Sequence, residues 1–142
     1  MNIEYLPMTI GHYDQALALW NRTEGIGLTV SDSREGTARY LARNPGMSFI
    51  ALSEGRMVGT ILCGHDGRRG YLTHLVVDAA YRRRGIGAAL VQNAVDALIR
   101  EGMAGCNLFI YSENKSGRAF WESQGWTWPD SWGVMNRRFV ED

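Results

Sequence analysis

Apolar positions recur along the chain with two periods, and short polar stretches separate the runs. Residues 2–6 have strand character. Thr9 stands where a helix cap is needed, ahead of Tyr13, Ala16, Leu17 and Trp20 at helical spacing. Gly25 and Gly27 end that helix. Asp32 and Glu35, three apart, match a capping box and predict a second helix through Tyr40 and Leu41 that stops at Asn44-Pro45-Gly46. The segment between these helices is then a loop.

Residues 48–52 and 57–63 are strand-like runs joined by Glu54-Gly55, a tight-turn signal for a hairpin. Asp66-Gly67-Arg68-Arg69-Gly70 makes the next turn, and a fourth strand covers 71–77, so an antiparallel meander results. From Gly85 to Glu101 the apolar Ile86, Leu90, Val91, Ala94, Val95, Leu98 and Ile99 fall on one helical face, and Gly102 closes the helix. A strand over 106–111 follows. The long helix before it makes it parallel to the fourth strand. Asn114 starts a helix through Arg118 and Ala119 to Gln124-Gly125, and 126–140 reads as one or two last strands around Pro129-Asp130. The pattern predicts an α/β (α+β) fold, a central mixed and mostly antiparallel sheet of six to seven strands flanked by about four helices. One domain over residues 1–142 is expected.

Composition narrows the function classes. Fifteen basic residues balance fifteen acidic ones, so no global field draws the protein to nucleic acid or to a lipid surface. Any charged function is local. Cys63 and Cys106 both lie in apolar runs, where a reduced, buried thiol is expected rather than a disulfide or a metal ligand. The amino terminus lacks a basic stretch followed by an apolar one, and no run approaches the roughly 18 apolar residues of a membrane span. The cytoplasm is the expected compartment, with neither membrane nor nucleic acid as a partner.

Chemistry concentrates between Tyr71 and Leu90. A strand and a short polar connection lead into Arg82-Arg83-Arg84-Gly85-Ile86-Gly87-Ala88, which opens the long helix. A helix start offers free N–H groups and the positive end of the dipole, and two glycines let an anion approach closely. Three consecutive arginines suit a pyrophosphate or a ribose phosphate better than a carboxylate. A dinucleotide-binding fold would need its strand to run almost directly into G-x-G-x-x-G. Here Leu90 stands at the third glycine position and residues 78–85 intervene, although Glu113 lies near the end of the next strand, where a ribose-binding acid would sit.

Arg82-x-x-Gly85-x-Gly87 resembles the Q/R-x-x-G-x-G/A signature of the Gcn5-related (GNAT) acetyltransferases. Asn114, Gly117, Phe120, Trp121 and Gly125-Trp126 resemble that family's N-x-x-A-x-x-φ-Y-x-x-x-G-F segment. The order of elements agrees across essentially the whole chain. The resemblance implies acetyl-CoA as co-substrate, with no metal. It implies a pyrophosphate held by Arg82, Arg83, Arg84, Gly85, Ile86, Gly87 and Ala88, and a pantetheine arm on main chain of Leu75, Val76 and Val77. Asn114, with Gly117, Phe120 and Trp121, would meet the cofactor from another side.

The pattern departs from the family at the catalytic groups. Trp121 stands where many members have a tyrosine that protonates the leaving thiolate, and an indole N–H does not titrate in a useful range. Tyr111 or a water is the substitute. Tyr71, Thr73 and Phe109 occupy places where members carry a glutamate base, and His74 is the nearest titratable group on the strand. A histidine buried and hydrogen-bonded within the sheet is the competing reading. Glu24 is a further catalytic candidate, and Glu24, Asp66 and Tyr71 are candidates for acceptor binding. His12 is expected to be a solvated helix residue. The implied reaction is N-acetylation of a small-molecule or peptide amine by direct attack in a ternary complex. The alternative is a catalytically weak module of the same fold that binds or senses acyl-CoA. A second copy of the chain, as a homodimer, is the remaining partner expectation.

Overall fold

The computed structural model describes residues 2–129 and 131–141. The chain divides into two compact units, Met1–Leu108 and Phe109–Asp142. The first holds a five-stranded sheet: β1 (Ile3–Pro7), β2 (Phe49–Ser53), β3 (Arg56–His65), β4 (Gly70–Val77) and β5 (Cys106–Leu108), in that spatial order. Neighbours from β1 to β4 are antiparallel and β5 is parallel to β4. Helices α1 (Tyr13–Asn21), α2 (Arg34–Arg43) and α3 (Ile86–Arg100) belong to the same unit, and α4 (Lys115–Ser123) belongs to the second.

β3 is buried at eight consecutive positions, the signature of a central strand covered on both faces. On one face Ala16, Leu19 and Trp20 of α1 pack with Ile50, Met57, Leu62 and Val76. On the other lie the buried Ile86, Leu90, Val91, Ala94, Ala97 and Leu98 of α3. Gly70 is needed there, because a Cβ would come within 2.6 Å of Leu98. The predicted hairpin is present: Glu54 and Gly55, at φ 49° and 79°, form a two-residue turn of the mirror-image kind that matches strand twist. Ile99 corrects the predicted α3 face, since it is 63% exposed. At about 100° per residue it falls roughly 80° outside the arc from Ile86 to Val91.

Two caps differ from expectation. Thr9 donates its N–H to Nδ1 of His12 at 3.0 Å, so His12 closes the short 3-10 turn Ile10–His12 that precedes α1. It is not a merely solvated residue. The cap of α2 is Ser33, whose hydroxyl accepts the Gly36 N–H at 3.0 Å. The position three residues beyond the cap is therefore Gly36 rather than Glu35, and a Cβ at 36 would collide with the Ser31 carbonyl. Asp32 is released from that role.

The sheet has five strands, not six to seven. β5 stops at Leu108, short of the predicted 111. No strand forms in the described part of 126–140, and Asp130 lies outside the described residues. Pro129 lacks an N–H and interrupts the alternation of Trp126 and Trp128 with Trp132 and Val134, and Met135 and Phe139 are 99% and 87% exposed. Cys63 is buried and Cys106 half-buried, both as free thiols. Burial pushes them up to about 12 and about 11, with Cys106 adding to the effect on Cys63. No helix among the described residues is long and apolar enough to cross a membrane.

Candidate active site

The segment after β4 is anchored before it reaches the arginines. Asp78 N–H donates to the Val58 carbonyl at 2.8 Å, extending the ladder by one bond. Its carboxylate accepts the Ala80 N–H at 3.0 Å and pairs with Arg22 at 3.0 Å and Arg56 at 3.6 Å. The Ala80 bond, then the Arg22 bond and the charges of both arginines, hold this carboxyl below the ordinary range against the pull of burial. The 3-10 turn Ala79–Tyr81 follows, then exposed Arg82, Arg83, Arg84 and Gly85. Arg82 donates Nε to the Val77 carbonyl at 3.3 Å, and Arg84 lies over the Tyr81 ring at 5.2 Å.

Arg83 and Gly85 are left-handed at φ 63° and 78°, which turns the chain sharply into α3. The first bond of that helix runs from Ala89 N–H to the Gly85 carbonyl. The N–H groups of Ile86, Gly87 and Ala88 thus precede the ladder, and no acidic residue stands in the first turn. A fifteen-residue helix adds the positive end of its dipole here. This donor set suits a multiply charged anion such as a pyrophosphate.

β4 leads into that loop with one edge uncovered. β5 pairs only with Gly70, Tyr71 and Leu72, so among the described residues no strand covers the same edge from Thr73 to Val77. On the opposite edge the register with β3 slips: Thr60 faces Val76 while Leu62 faces Thr73, so Ile61 alone opposes both His74 and Leu75. This is a β-bulge, and His74 within it is left-handed at φ 50°.

The bulge re-aims a side chain. Leu72 shares a face with Cys63, whose thiol reaches the Ala94 carbonyl of α3, and Thr73 shares the α1 face with Leu62. Strict alternation would return His74 to the α3 face. Its ring instead meets Trp20 of α1 at 4.8 Å between centroids, and Nε2 lies 2.7 Å from Asp32 Oδ1. His74 is therefore a half-buried residue paired with a carboxylate, and Asp32 is the partner that sequence reasoning missed. The slot Asp32-x-x-Glu35 fitted a cap, and nothing local signals a contact 42 residues away.

Other candidates are placed less tellingly. Leu75 and Val77 are half-buried and Val76 is buried. Glu24 is exposed in the turn after α1 and makes no hydrogen bond or ion pair among the described residues. Ile26 and Leu28 beside it pack on the core. Asp66 accepts the N–H groups of Arg69 and Arg68 at 2.8 Å each, bonds that lower its carboxyl and explain it as a turn builder. It lies beyond the Gly70 end of β4, opposite the end that meets the arginine loop. Tyr71, half-buried, is near that same far end.

In the second unit, Tyr111 is 59% exposed. Asn114 caps α4 by accepting the Gly117 N–H at 2.9 Å, and a Cβ at 117 would press on the Asn114 amide at 2.5 Å. The glycine at a family alanine position has this local reason. Trp121 stacks edge to face with Phe120 at 5.3 Å and with Trp126 at 5.1 Å. No group of three or more metal-binding side chains occurs among the described residues.

Comparison with known proteins places these features. The model of the acetyltransferase (GNAT) family matches residues 13–126. An acetyltransferase of Sodalis glossinidius is 29% identical over 130 residues, covering 92% of this chain and 91% of that protein. N-alpha-acetyltransferase 30 of Xenopus laevis is 37% identical over 95 residues, which are 63% of this chain and 35% of that protein. Among solved structures, the PaiA N-acetyltransferase of Thermoplasma acidophilum in complex with coenzyme A shares the fold at a TM-score of 0.82 and 19% identity, over 94% of each chain. The NatC complex bound to Gag peptide and CoA is similar at a TM-score of 0.74 and 25% identity, over 87% of this chain and 83% of that one. The matched span takes in α1, the bulged β4, the arginine loop and α4, and the chain belongs to the acetyltransferase (GNAT) family.

Proposed function

We propose that this acetyltransferase moves the acetyl group of acetyl-CoA to a primary amine by direct attack within a ternary complex. One observation carries the reading: the edge of β4 from Thr73 to Val77, paired with no described strand, leads through residues 78–85 to a cationic, acid-free helix start. Main chain that no described strand pairs suits the amides of a pantetheine arm, and Ile86, Gly87 and Ala88 with the arginines suit its pyrophosphate. When bound, the co-substrate supplies an acyl carbon activated by a thiol leaving group. The chain's own residues bind, orient and move a proton.

In this reading the His74 ring takes the proton that the acceptor's ammonium must lose before its nitrogen attacks. Tyr111 or a water returns a proton to the departing sulfur. Glu24, exposed and unpaired among the described residues, reads the charge of a cationic acceptor, and Glu24→Gln raises the acceptor's KM while leaving acetyl-CoA binding unchanged. Asn114, Gly117, Phe120 and Trp121 keep the cofactor role that their motif implies, and Asp66 and Tyr71, at the Gly70 end of β4, are the further acceptor contacts.

The test measures thiol release from acetyl-CoA with a panel of amines: a peptide with a free amino terminus, a lysine side chain, a polyamine, an aminoglycoside and an amino acid. Acceptor-dependent release is expected with at least one. A second reading, an acyl-CoA-binding module without turnover, is favoured by Trp121, whose indole cannot serve as the acid, and by Tyr71, Thr73 and Phe109 at the places of a glutamate base. Tight CoA binding by calorimetry with no release across the panel selects it.

A further inference from the structure

Asp32 is fixed from three directions. Oδ1 meets Nε2 of His74 at 2.7 Å, Oδ2 accepts the Thr29 N–H at 2.8 Å, and its main-chain carbonyl accepts the Tyr13 hydroxyl at 2.6 Å. Only 13% of its side chain and 15% of that of His74 are exposed. A cap needs one carboxylate oxygen, and here the second is spent on a ring 42 residues away in sequence. That ring is brought within reach only by the bulge, at a left-handed histidine that ordinary strand geometry would not contain.

The chemistry of the pair sets its proton. Burial pushes the Asp32 carboxyl up, but the bonds from His74 and Thr29 and the charge of the ring together hold it below the ordinary range. An ionised carboxylate only accepts, so the hydrogen between the two groups sits on Nε2, and whenever the ring carries a single N–H its lone pair is on Nδ1. Among the described residues Nδ1 makes no hydrogen bond, and no buried side-chain nitrogen or oxygen is left without a partner, so this nitrogen reaches solvent.

We propose that Asp32 is a positioning residue for acetyl transfer: it holds the His74 imidazole in the Nε2–H tautomer and so presents Nδ1 as the atom that takes the acceptor's proton. The inference rests on the reading of His74 as the base. In the step, an ammonium N–H bond breaks and its proton goes to Nδ1, giving an imidazolium balanced by the Asp32 carboxylate. The freed amine forms the C–N bond as the C–S bond breaks, and the sulfur leaves with the electron pair. The new amide nitrogen loses its second proton, the thiolate gains one, and the imidazolium returns its own to solvent.

Asp32→Asn is the discriminating variant. Its amide oxygen still accepts the Thr29 N–H, which turns the NH2 toward Nε2 and forces the ring hydrogen onto Nδ1. On the full chain, 15N spectra of labelled histidine, with the His74 signals identified by their loss in His74→Gln, are expected to show the Nε2–H tautomer in the parent and the other in Asp32→Asn. With acetyl-CoA and the panel amine that releases thiol fastest, kcat of Asp32→Asn is expected to fall about 10²- to 10⁴-fold, with the KM for acetyl-CoA unchanged. The double variant is expected to be no slower than His74→Gln, as for two groups that act as a unit. If His74→Gln turns over like the parent, the base reading fails and takes this inference with it. If His74→Gln is inactive while a folded Asp32→Asn keeps turnover, Asp32 alone is misassigned. Should Asp32→Asn not fold, the parent spectrum decides, and an Nδ1–H tautomer at His74 overturns the proposal.

Discussion

The side chain of Thr60 donates a hydrogen bond to the main-chain carbonyl of His74 at 2.9 Å, within a site where Thr60 is fully buried. The same hydroxyl accepts the indole N–H of Trp20 at 3.0 Å. One oxygen thus ties α1 to the bulge. Thr60→Val keeps the volume and removes the oxygen, leaving a buried indole N–H and a carbonyl without partners. Urea unfolding is expected to show a loss of about 2 to 6 kcal/mol, from roughly 1 to 3 for each orphaned group. Turnover is expected to fall tenfold or more as His74 loses its placement, and Thr60→Ser is expected to behave like the parent on both measurements.

The arginine loop supports a cofactor prediction. Gly87 lies in the first turn of α3, where its N–H precedes the ladder and no carboxylate is present. Gly87→Asp sets a negative charge beside the donors and adds a side chain where an anion must approach. Affinity for CoA, measured by calorimetry on the folded variant, is expected to drop tenfold or more. Unchanged affinity moves the pyrophosphate site elsewhere.

Both successes and failures of the sequence reading have physical reasons. Periodicity and the glycine and proline breaks located α1, α2, α3 and the meander from β2 to β4, while α4, which has no fully buried residue, was legible from its Asn114 start and its Gly125 end. The helix start with its arginines was legible as well, since the left-handed turn at Gly85 and the start of α3 are dictated by glycines in the local sequence. The bulge was not. It is a count of two residues against one between separate strands, and the stretch from Tyr71 to Val77 contains no glycine or proline to mark it. Asp32 was hidden by a rival local explanation, and the rival failed because Gly36, not Glu35, fits three residues after the true cap Ser33. The strand expected in the tail failed because Pro129 cannot donate to a ladder and breaks the alternating run of Trp126, Trp128, Trp132 and Val134.

Acid stability follows from the carboxyl of Asp32. Its folded value lies below the ordinary 3.8, so folding is linked to its ionised form. The stability this supplies is fully present above about pH 3.8 and is lost as pH falls through the lower folded value. Asp78, held down by Ala80 and Arg22, acts in the same window and with the same sign. The parent is therefore expected to outlast Asp32→Asn in urea at pH 7, and the gap is expected to narrow at pH 3. A gap that widens on acidification contradicts an ionised Asp32 in the folded protein.

Trp121 occupies the position where a tyrosine hydroxyl would be expected to protonate the leaving sulfur, and its surroundings argue for packing instead. Its ring sits between Phe120 and Trp126 in two edge-to-face contacts at 5.3 and 5.1 Å, an aromatic cluster in a unit where α4 has no fully buried residue. Among the described residues its indole N–H makes no hydrogen bond. Aromatic pairs of this geometry contribute about 0.5 to 1.5 kcal/mol each beyond their buried area. Trp121→Phe preserves both contacts in kind, so turnover within about threefold of the parent is expected, together with a small drop in Tm. Trp121→Ala removes both and is expected to lower Tm clearly and to weaken CoA binding in calorimetry. The decisive comparison is Trp121→Tyr, which restores a titratable hydroxyl. If packing is the whole role, it matches Trp121→Phe. A kcat above that of the parent shows instead that proton donation to sulfur limits the natural enzyme.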